Sequence, residues 1–320
     1  MKSDTSTAAT DVAANDVMAS LAGVTRRFGP VTAVDDVTLE VPPGSIIGLI
    51  GPSGGGKTTL LRILSGLDQP SSGTARCLGK PTSKLKHADR ARLAMLAQAP
   101  AVMDEFSIHE QLRFQARLRG ADADVAVFNC LERVGLLDAR DTRLSDASGG
   151  MRRRTGLAAA LVGDPDLVFC DEPTAGLDPI ARDHIWNWFR SRRSKGRTMV
   201  VTTQHIDEAS RCDRVIVLRE GRAVADAEPS TLAREAGLDE ELIVSIDSDE
   251  RARAMALIGP DVGVATITSD GFVVATTNAS VTAGAVAGLL AAADIEVIEM
   301  DTRVPDLDAV FRSLVESSDP

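Results

Sequence analysis

The chain contains no tyrosine, and aromatic residues make up only 3% of its 320 positions. A core with so few rings has to be filled by Ala, Val, Leu and Ile, through many small contacts. Cysteine is sparse as well. Cys77, Cys130, Cys170 and Cys212 stand far apart, with no CxxC pair and no Cys/His cluster. The pattern favours buried free thiols in a reducing compartment over disulfides or a metal site. A secretory leader is also missing from the pattern, because Lys2 is followed by Asp4 and no apolar run. Residues 1–16 are rich in Ala, Ser, Thr and Asp and are expected to be disordered. One uncharged stretch, 271–293, is 23 residues long and could span a bilayer by length. It contains Thr, Ser, Asn and Gly and breaks at Asn278, so a strand over 272–276 and a capped helix over 281–292 are expected instead. Any membrane role then comes through a partner.

The charge is unevenly placed. Of the net −11, residues 241–320 carry −10, from 14 acids and 4 bases, and the first 240 residues carry −1. That step marks a compositional boundary, and an acidic tail argues against nucleic acid as a partner. Alternating patterns predict antiparallel strands over 18–24 and 34–41, and further strands over 73–79 and 92–97. Helical periodicity follows over 107–119, 125–134 and 149–161. Then come a strand at 166–171, a helix at 181–194, a strand at 197–203, a short helix at 206–211 and a strand at 214–218. Past 240 the order is β-α-β-β-α-β, that of ferredoxin-like domains, with a last helix over 306–315. Trp186 and Trp188, two apart on a helix, point to different sides, and at least one should pack inward.

The chemistry starts at Gly51, Pro52, Ser53, Gly54, Gly55, Gly56, Lys57 and Thr58. The spacing glycine, four residues, glycine, lysine, threonine is that of a phosphate-binding loop. Its glycines let several N–H groups face one anion. Lys57 supplies a point charge to the β- and γ-phosphates, and Thr58 a hydroxyl for Mg²⁺. An apolar run precedes the loop and a helix-like run from Thr59 follows, which puts a helix N-terminus under the phosphates. Asp171 and Glu172 close the apolar strand downstream. Adjacent side chains on extended backbone diverge. Asp171 is therefore assigned to the Mg²⁺ shell and Glu172 to the attacking water as general base. Ser148, Gly149 and Gly150 open a helix that continues into Arg152, Arg153 and Arg154, a second anion-ready N-terminus. Two such ends in one chain make sense if two copies meet head to tail. The arginines by themselves read as a solvated basic face.

These motifs, in this order, resemble the ATP-binding subunits of ABC transporters over about residues 18–228. Phe28 resembles the aromatic that stacks on adenine, Gln98 the Q-loop glutamine, and Ser148 to Gly150 the signature motif. Asp171 and Glu172 resemble the Walker B acids, Asp178 the D-loop aspartate and His205 the switch histidine. The chain departs from the usual pattern at Ala97, Ala147 and Met151, where proline, leucine and glutamine are common, and at Gly55. The resemblance implies an α/β P-loop NTPase cassette over 17–228. It combines a RecA-like core, an antiparallel β subdomain and a helical subdomain at about 99–163. A linker over 229–240 and an acidic ferredoxin-like domain over 241–320 follow.

Roles follow from the resemblance. ATP is the substrate. Thr58, Gln98 and Asp171 serve Mg²⁺, Glu172 activates water, and His205 contacts the γ-phosphate. Ser148 to Gly150 complete the site of a second copy, and Asp178 couples the two sites. The run GGMRRR and the tail resemble ABC-2-type exporter ATPases for drug, antibiotic or lipid-like cargo. They imply an ATP-dependent homodimer bound peripherally to a permease on the cytoplasmic side of the membrane, with 99–113 receiving the permease. An importer ATPase, a regulatory ABC protein and a translation or repair ATPase are the rivals. The last is disfavoured by a single cassette with only about 90 residues between Lys57 and Ser148.

Overall fold

Alternation of apolar and polar residues sets the first two strands. β1 (Ala19–Phe28) and β2 (Val31–Val41) pair antiparallel, with Leu21 opposite Leu39 and Phe28 opposite Val31. The structure is a computed structural model, described over residues 17–98, 101–259, 262–303 and 305–316. The tail 1–16, expected to be disordered, and Ala99 and Pro100 of the segment 99–113 lie outside the described residues. The chain divides into two compact units, Met1–Val224 and Ala225–Pro320.

In the first unit β3 (Ile46–Ile50) is buried at every position, as a central parallel strand covered on both faces must be. The phosphate-loop residues follow, then α1 (Lys57–Leu64). β4 (Ser72–Cys77) and a two-residue β5 (Lys80–Pro81) return to the first sheet, whose order is β2-β1-β4-β5. After α2 (His87–Ala91) comes β6 (Leu93–Leu96), and then the helical insertion of α3 (Ile108–Leu118), α4 (Ala123–Arg133) and α5 (Gly149–Leu161). Ser107 and Glu110 form a capping box at α3, which fixes where that helix starts. Arg119 closes the far end of α5 by donating to the carbonyls of Ala159 and Val162 at 2.7 and 2.8 Å.

β7 (Leu167–Asp171), α6 (Pro179–Arg193), β8 (Thr198–Thr203), a 3-10 turn at Ile206–Arg211, β9 (Arg214–Arg219) and β10 (Arg222–Ala227) complete the second sheet. Its order is β10-β9-β3-β8-β7-β6, and β9, β3, β8, β7 and β6 run parallel. The short helix expected over 206–211 is thus a 3-10 turn, and β10, β5 and α2 had no clear signal in the sequence. Both Trp186 and Trp188 are buried, and Trp186 meets Phe189 edge to face at 5.6 Å. Burying side chains of this size contributes about 1.5–3 kcal/mol each. All four cysteines are free and buried, and burial raises the thiol pKa of Cys77 and Cys170 to about 12.

The second unit has its own core. Segment 229–240, read from the sequence as a linker, carries a 3-10 turn at Pro229–Thr231 and a one-turn α7 (Leu232–Glu235). β11 (Glu240–Ile246), α8 (Arg251–Leu257), β12 (Val264–Ile267), β13 (Gly271–Thr276), α9 (Ala279–Ala292), β14 (Val297–Arg303) and α10 (Leu307–Glu316) follow. The sheet order β12-β13-β11-β14, antiparallel throughout, is the ferredoxin-like arrangement. Leu242, Val244, Phe272, Val274, Val286 and Leu290 fill its core. β13 and α9 divide the uncharged stretch between them, and no described helix is long and apolar enough to cross a membrane.

Candidate functional site: the nucleotide cradle

The carboxyl ends of β3, β7 and β8 bring the sequence-predicted residues together. β8 lies between β3 and β7, so the loop after β3 faces the acids at the end of β7 across one strand. Gly56 is the N-cap of α1 with φ +96, and a Cβ there would lie 2.5 Å from the Ala33 carbonyl oxygen, so only glycine fits. No side chain caps this helix, which leaves its first N–H groups facing the loop. Lys57 is buried, and its Nζ donates to the carbonyls of Gly51 and Pro52 at 2.7 and 2.8 Å. Desolvation holds its pKa below the usual lysine value, against the opposing pull of the Glu172 and Asp171 carboxylates.

Asp171 is buried. Its Oδ1 accepts from Thr58 Oγ1 at 3.1 Å and from Thr202 Oγ1 at 2.6 Å. Thr58 and Asp171 thus already touch. With Gln98 nearby they form an all-oxygen donor set suited to Mg²⁺, a hard cation. Glu172 is held at every group. Its carboxylate accepts from Gln98 Nε2 at 3.1 Å and Gln204 Nε2 at 2.5 Å. Its N–H donates to Thr202 Oγ1 at 2.9 Å and the Thr202 carbonyl at 3.2 Å, and its carbonyl accepts from Arg153 Nη2. Glu172 sits at φ +47, in the left-handed region, a strain of the kind that persists where surrounding bonds over-determine it. The cavity over these residues, about 190 Å³, is lined by Ala33, Ser53 to Thr59, Gln98, Glu172 and Gln204. Two larger hollows, about 380 and 290 Å³, lie along α6 against α4 and against α5, away from these groups. Their linings include none of the phosphate-loop residues, so size is no guide to the chemistry here.

Other predicted residues lie apart from this cavity within the single chain. Phe28 ends β1, about half exposed, with the Arg26 guanidinium 4.5 Å from its ring centroid. His205 is exposed after β8, its N–H donating to Thr203 Oγ1 at 3.0 Å. Ser148 caps α5 by accepting from Met151 N–H at 3.2 Å, and Gly149 and Gly150 are exposed beside it. Asp178 is exposed and caps α6, accepting from Ala181 N–H at 2.9 Å. Reasoning from sequence missed Thr202, Gln204 and Arg153 as site residues. Thr202 and Gln204 stand in the same short frame as His205. Arg153 was taken for solvated surface, yet it donates to three main-chain carbonyls.

The ABC transporter family model matches residues 34–175. A Nod factor export ATP-binding protein I of Paraburkholderia xenovorans is 42% identical over 221 residues, covering 68% of this chain and 73% of that protein. A daunorubicin resistance ATP-binding protein of Streptomyces coeruleorubidus is 35% identical over 304 residues, 93% of this chain and 96% of that protein, so the likeness includes the tail unit. Among solved structures, the ATP-binding subunit of an ABC transporter superposes with TM-score 0.65 at 25% identity, covering 69% of this chain and 94% of that one. With the phosphate loop, the paired acids and the ordered motifs, these likenesses place the chain in the ABC transporter family, as an ATP-binding subunit whose activity is ATP hydrolysis.

Proposed function

We propose that this chain is the ATP-hydrolysing subunit of an exporter, closing head to tail with a second copy around two ATP and driving a separate ABC-2-type permease. One observation carries this reading. The cradle of Lys57, Thr58, Asp171 and Glu172 is assembled, while the other anion-ready helix start, Ser148 to Gly150, is exposed and outside that cavity. A second copy turned head to tail brings the two halves together. The relatives' names, Nod factor export and daunorubicin resistance, support outward transport, with a drug, antibiotic or lipid-like cargo. Association with the membrane is then peripheral, on its cytoplasmic side, through the permease.

The residues divide the work. When ATP enters, Lys57 exchanges the Gly51 and Pro52 carbonyls for phosphate oxygens, and the N–H groups at the start of α1 bind the same anion. Phe28 offers its exposed ring face to adenine. Thr58, Asp171 and Gln98 would hold Mg²⁺, which when bound supplies positive charge against the phosphate oxygens. Glu172 takes the proton of the attacking water as its oxygen bonds to the γ-phosphorus. The bond to the β–γ bridging oxygen breaks, and ADP and phosphate leave. Gln98 and Gln204 aim the carboxylate for that transfer, and His205 donates to the γ-phosphate in the closed state. Asp178 passes the closure from one site to the other.

Glu172→Gln tests the reading. It keeps the shape of the side chain but removes the base, so turnover should fall by about 10²–10⁴, while ATP still binds. Size exclusion with ATP should then show a stable dimer. A Glu172→Gln protein that stays monomeric with saturating ATP would overturn the head-to-tail site.

A further inference from the structure

We propose that Arg153 is a positioning residue for hydrolysis, linking the helix that starts at Ser148 to the backbone of Glu172 and Gln98 in the same chain. Arg153 lies on α5, about one and a half turns past the Ser148 cap. Its guanidinium reaches out of the helical insertion. Nη2 donates to the Glu172 carbonyl, Nε to the Pro173 carbonyl at 3.3 Å and Nη1 to the Gln98 carbonyl at 3.4 Å. The neighbouring arginines act differently. Arg152 donates to the Leu144 carbonyl and pairs with Asp104 at 2.6 Å, and Arg154 donates to the Val134 and Gly135 carbonyls. Those bonds stay inside the helical insertion. Arg153 crosses from it to the residues just past β7 and to Gln98, two residues beyond the end of β6.

The bonds fall on the two residues whose side chains meet at the water-activating position. Gln98 and Glu172 are joined there at 3.1 Å, and Arg153 ties their main chains together behind that contact. The left-handed backbone of Glu172 is held on its N–H side by Thr202 and on its carbonyl side by Arg153. A planar fork with five donors can serve three carbonyls at once, which a lysine ammonium at the end of a flexible stem cannot do in the same geometry. Burial lowers the guanidinium's pKa from its usual value and the Glu172 carboxylate opposes that shift, as expected for a cation seated in the site wall. A displacement of α5 therefore moves Gln98 and Glu172 together. The link between two sites rests on the head-to-tail reading, because only there does the Ser148 end of α5 meet a nucleotide.

Arg153→Lys and Arg153→Gln in the full chain test this, the lysine variant keeping the charge and the stem where the glutamine variant fails to fold. ATP affinity, measured with a fluorescent analogue, should stay within about twofold of wild type, while kcat falls about tenfold to a hundredfold, the scale of a misplaced catalytic group. The Hill coefficient for ATP should drop towards one. Combined with Glu172→Gln, either substitution should lower the residual turnover no further, because Arg153 acts through that carboxylate. A folded Arg153→Lys with wild-type kcat overturns the proposal. So does a loss of turnover in the Glu172→Gln background as large as in the wild type. If Glu172→Gln forms its ATP dimer and Arg153→Lys turns over normally, the link fails and the head-to-tail site stands. If Glu172→Gln forms no dimer, the head-to-tail site fails and the link between sites fails with it.

Discussion

Thr202 Oγ1 donates to Asp171 Oδ1 at 2.6 Å and accepts the Glu172 N–H at 2.9 Å, so a single hydroxyl orients both acids. Valine has nearly the same shape and can make neither bond. Thr202→Val should leave the sheet intact, because the position is buried in the middle of the sheet and a β-branched side chain of the same shape suits a strand. A buried carboxylate that loses a hydrogen bond pays about 1.5–3 kcal/mol, which corresponds to roughly tenfold or more in rate if it is felt in the transition state. Steady-state ATPase assays beside a nucleotide titration should show kcat falling by that order, with ATP affinity far less changed. An equal loss in affinity would place the role of Thr202 in binding rather than in aiming the acids.

At the scale of elements, the two ends of the parallel sheet have separate tasks. The carboxyl ends carry the cradle. The amino ends of β6, β7 and β8 are tied by a charge network. Arg192, buried on α6, donates to Asp164 Oδ1 at 2.8 Å and to the Pro165 carbonyl at 2.7 Å. Arg197 grips Asp164 and Asp166, and Arg92 pairs with Asp166 at 2.6 Å. Partial burial works to raise the Asp164 pKa, but the Arg197 hydrogen bonds and the nearby Arg192 charge outweigh it, and the carboxyl sits below its ordinary value. A depressed acid contributes stability that is fully present above the unfolded pKa and is lost as pH falls through the folded one. Asp164→Ala leaves the buried Arg192 short of a partner and should cost about 1–3 kcal/mol at neutral pH. Denaturant titrations should show wild type and variant converging as the pH falls through the lowered Asp164 pKa. ATP affinity should be unaffected, since the network lies at the far end of the strands from Lys57.

At the scale of the molecule, the chain holds two units with separate cores, and the glycine-loop residues that line the cradle all belong to the first. A ligand that binds only the folded form stabilises the unit it binds, by about 2.7 kcal/mol at a hundred times its Kd. Calorimetry of the full chain with increasing ATP should therefore raise one unfolding transition and leave the second in place. A single transition that moves as a whole would show that the tail unit is coupled to the nucleotide. Such coupling would have to cross a compositional step, because residues 241–320 hold nearly all of the net negative charge.

The sequence by itself determined the fold class, the phosphate loop and the acids at the end of β7, because these are written in local spacing. An apolar run, a glycine loop and a helix start are one contiguous segment, and the split βαβ order of the tail is a succession of short-range periodicities. Segment 206–211 shows the limit even there, since a 3-10 turn and a short α-helix share the same local composition. Only the tertiary structure decided what Thr202, Gln204 and Arg153 do. Each acts on Glu172 from a distant part of the chain: β8 delivers the first two, and α5 turns an apparently solvated arginine onto three carbonyls. Partners of that kind depend on which strands and helices lie side by side. Spacing along the chain does not record that, and packing does.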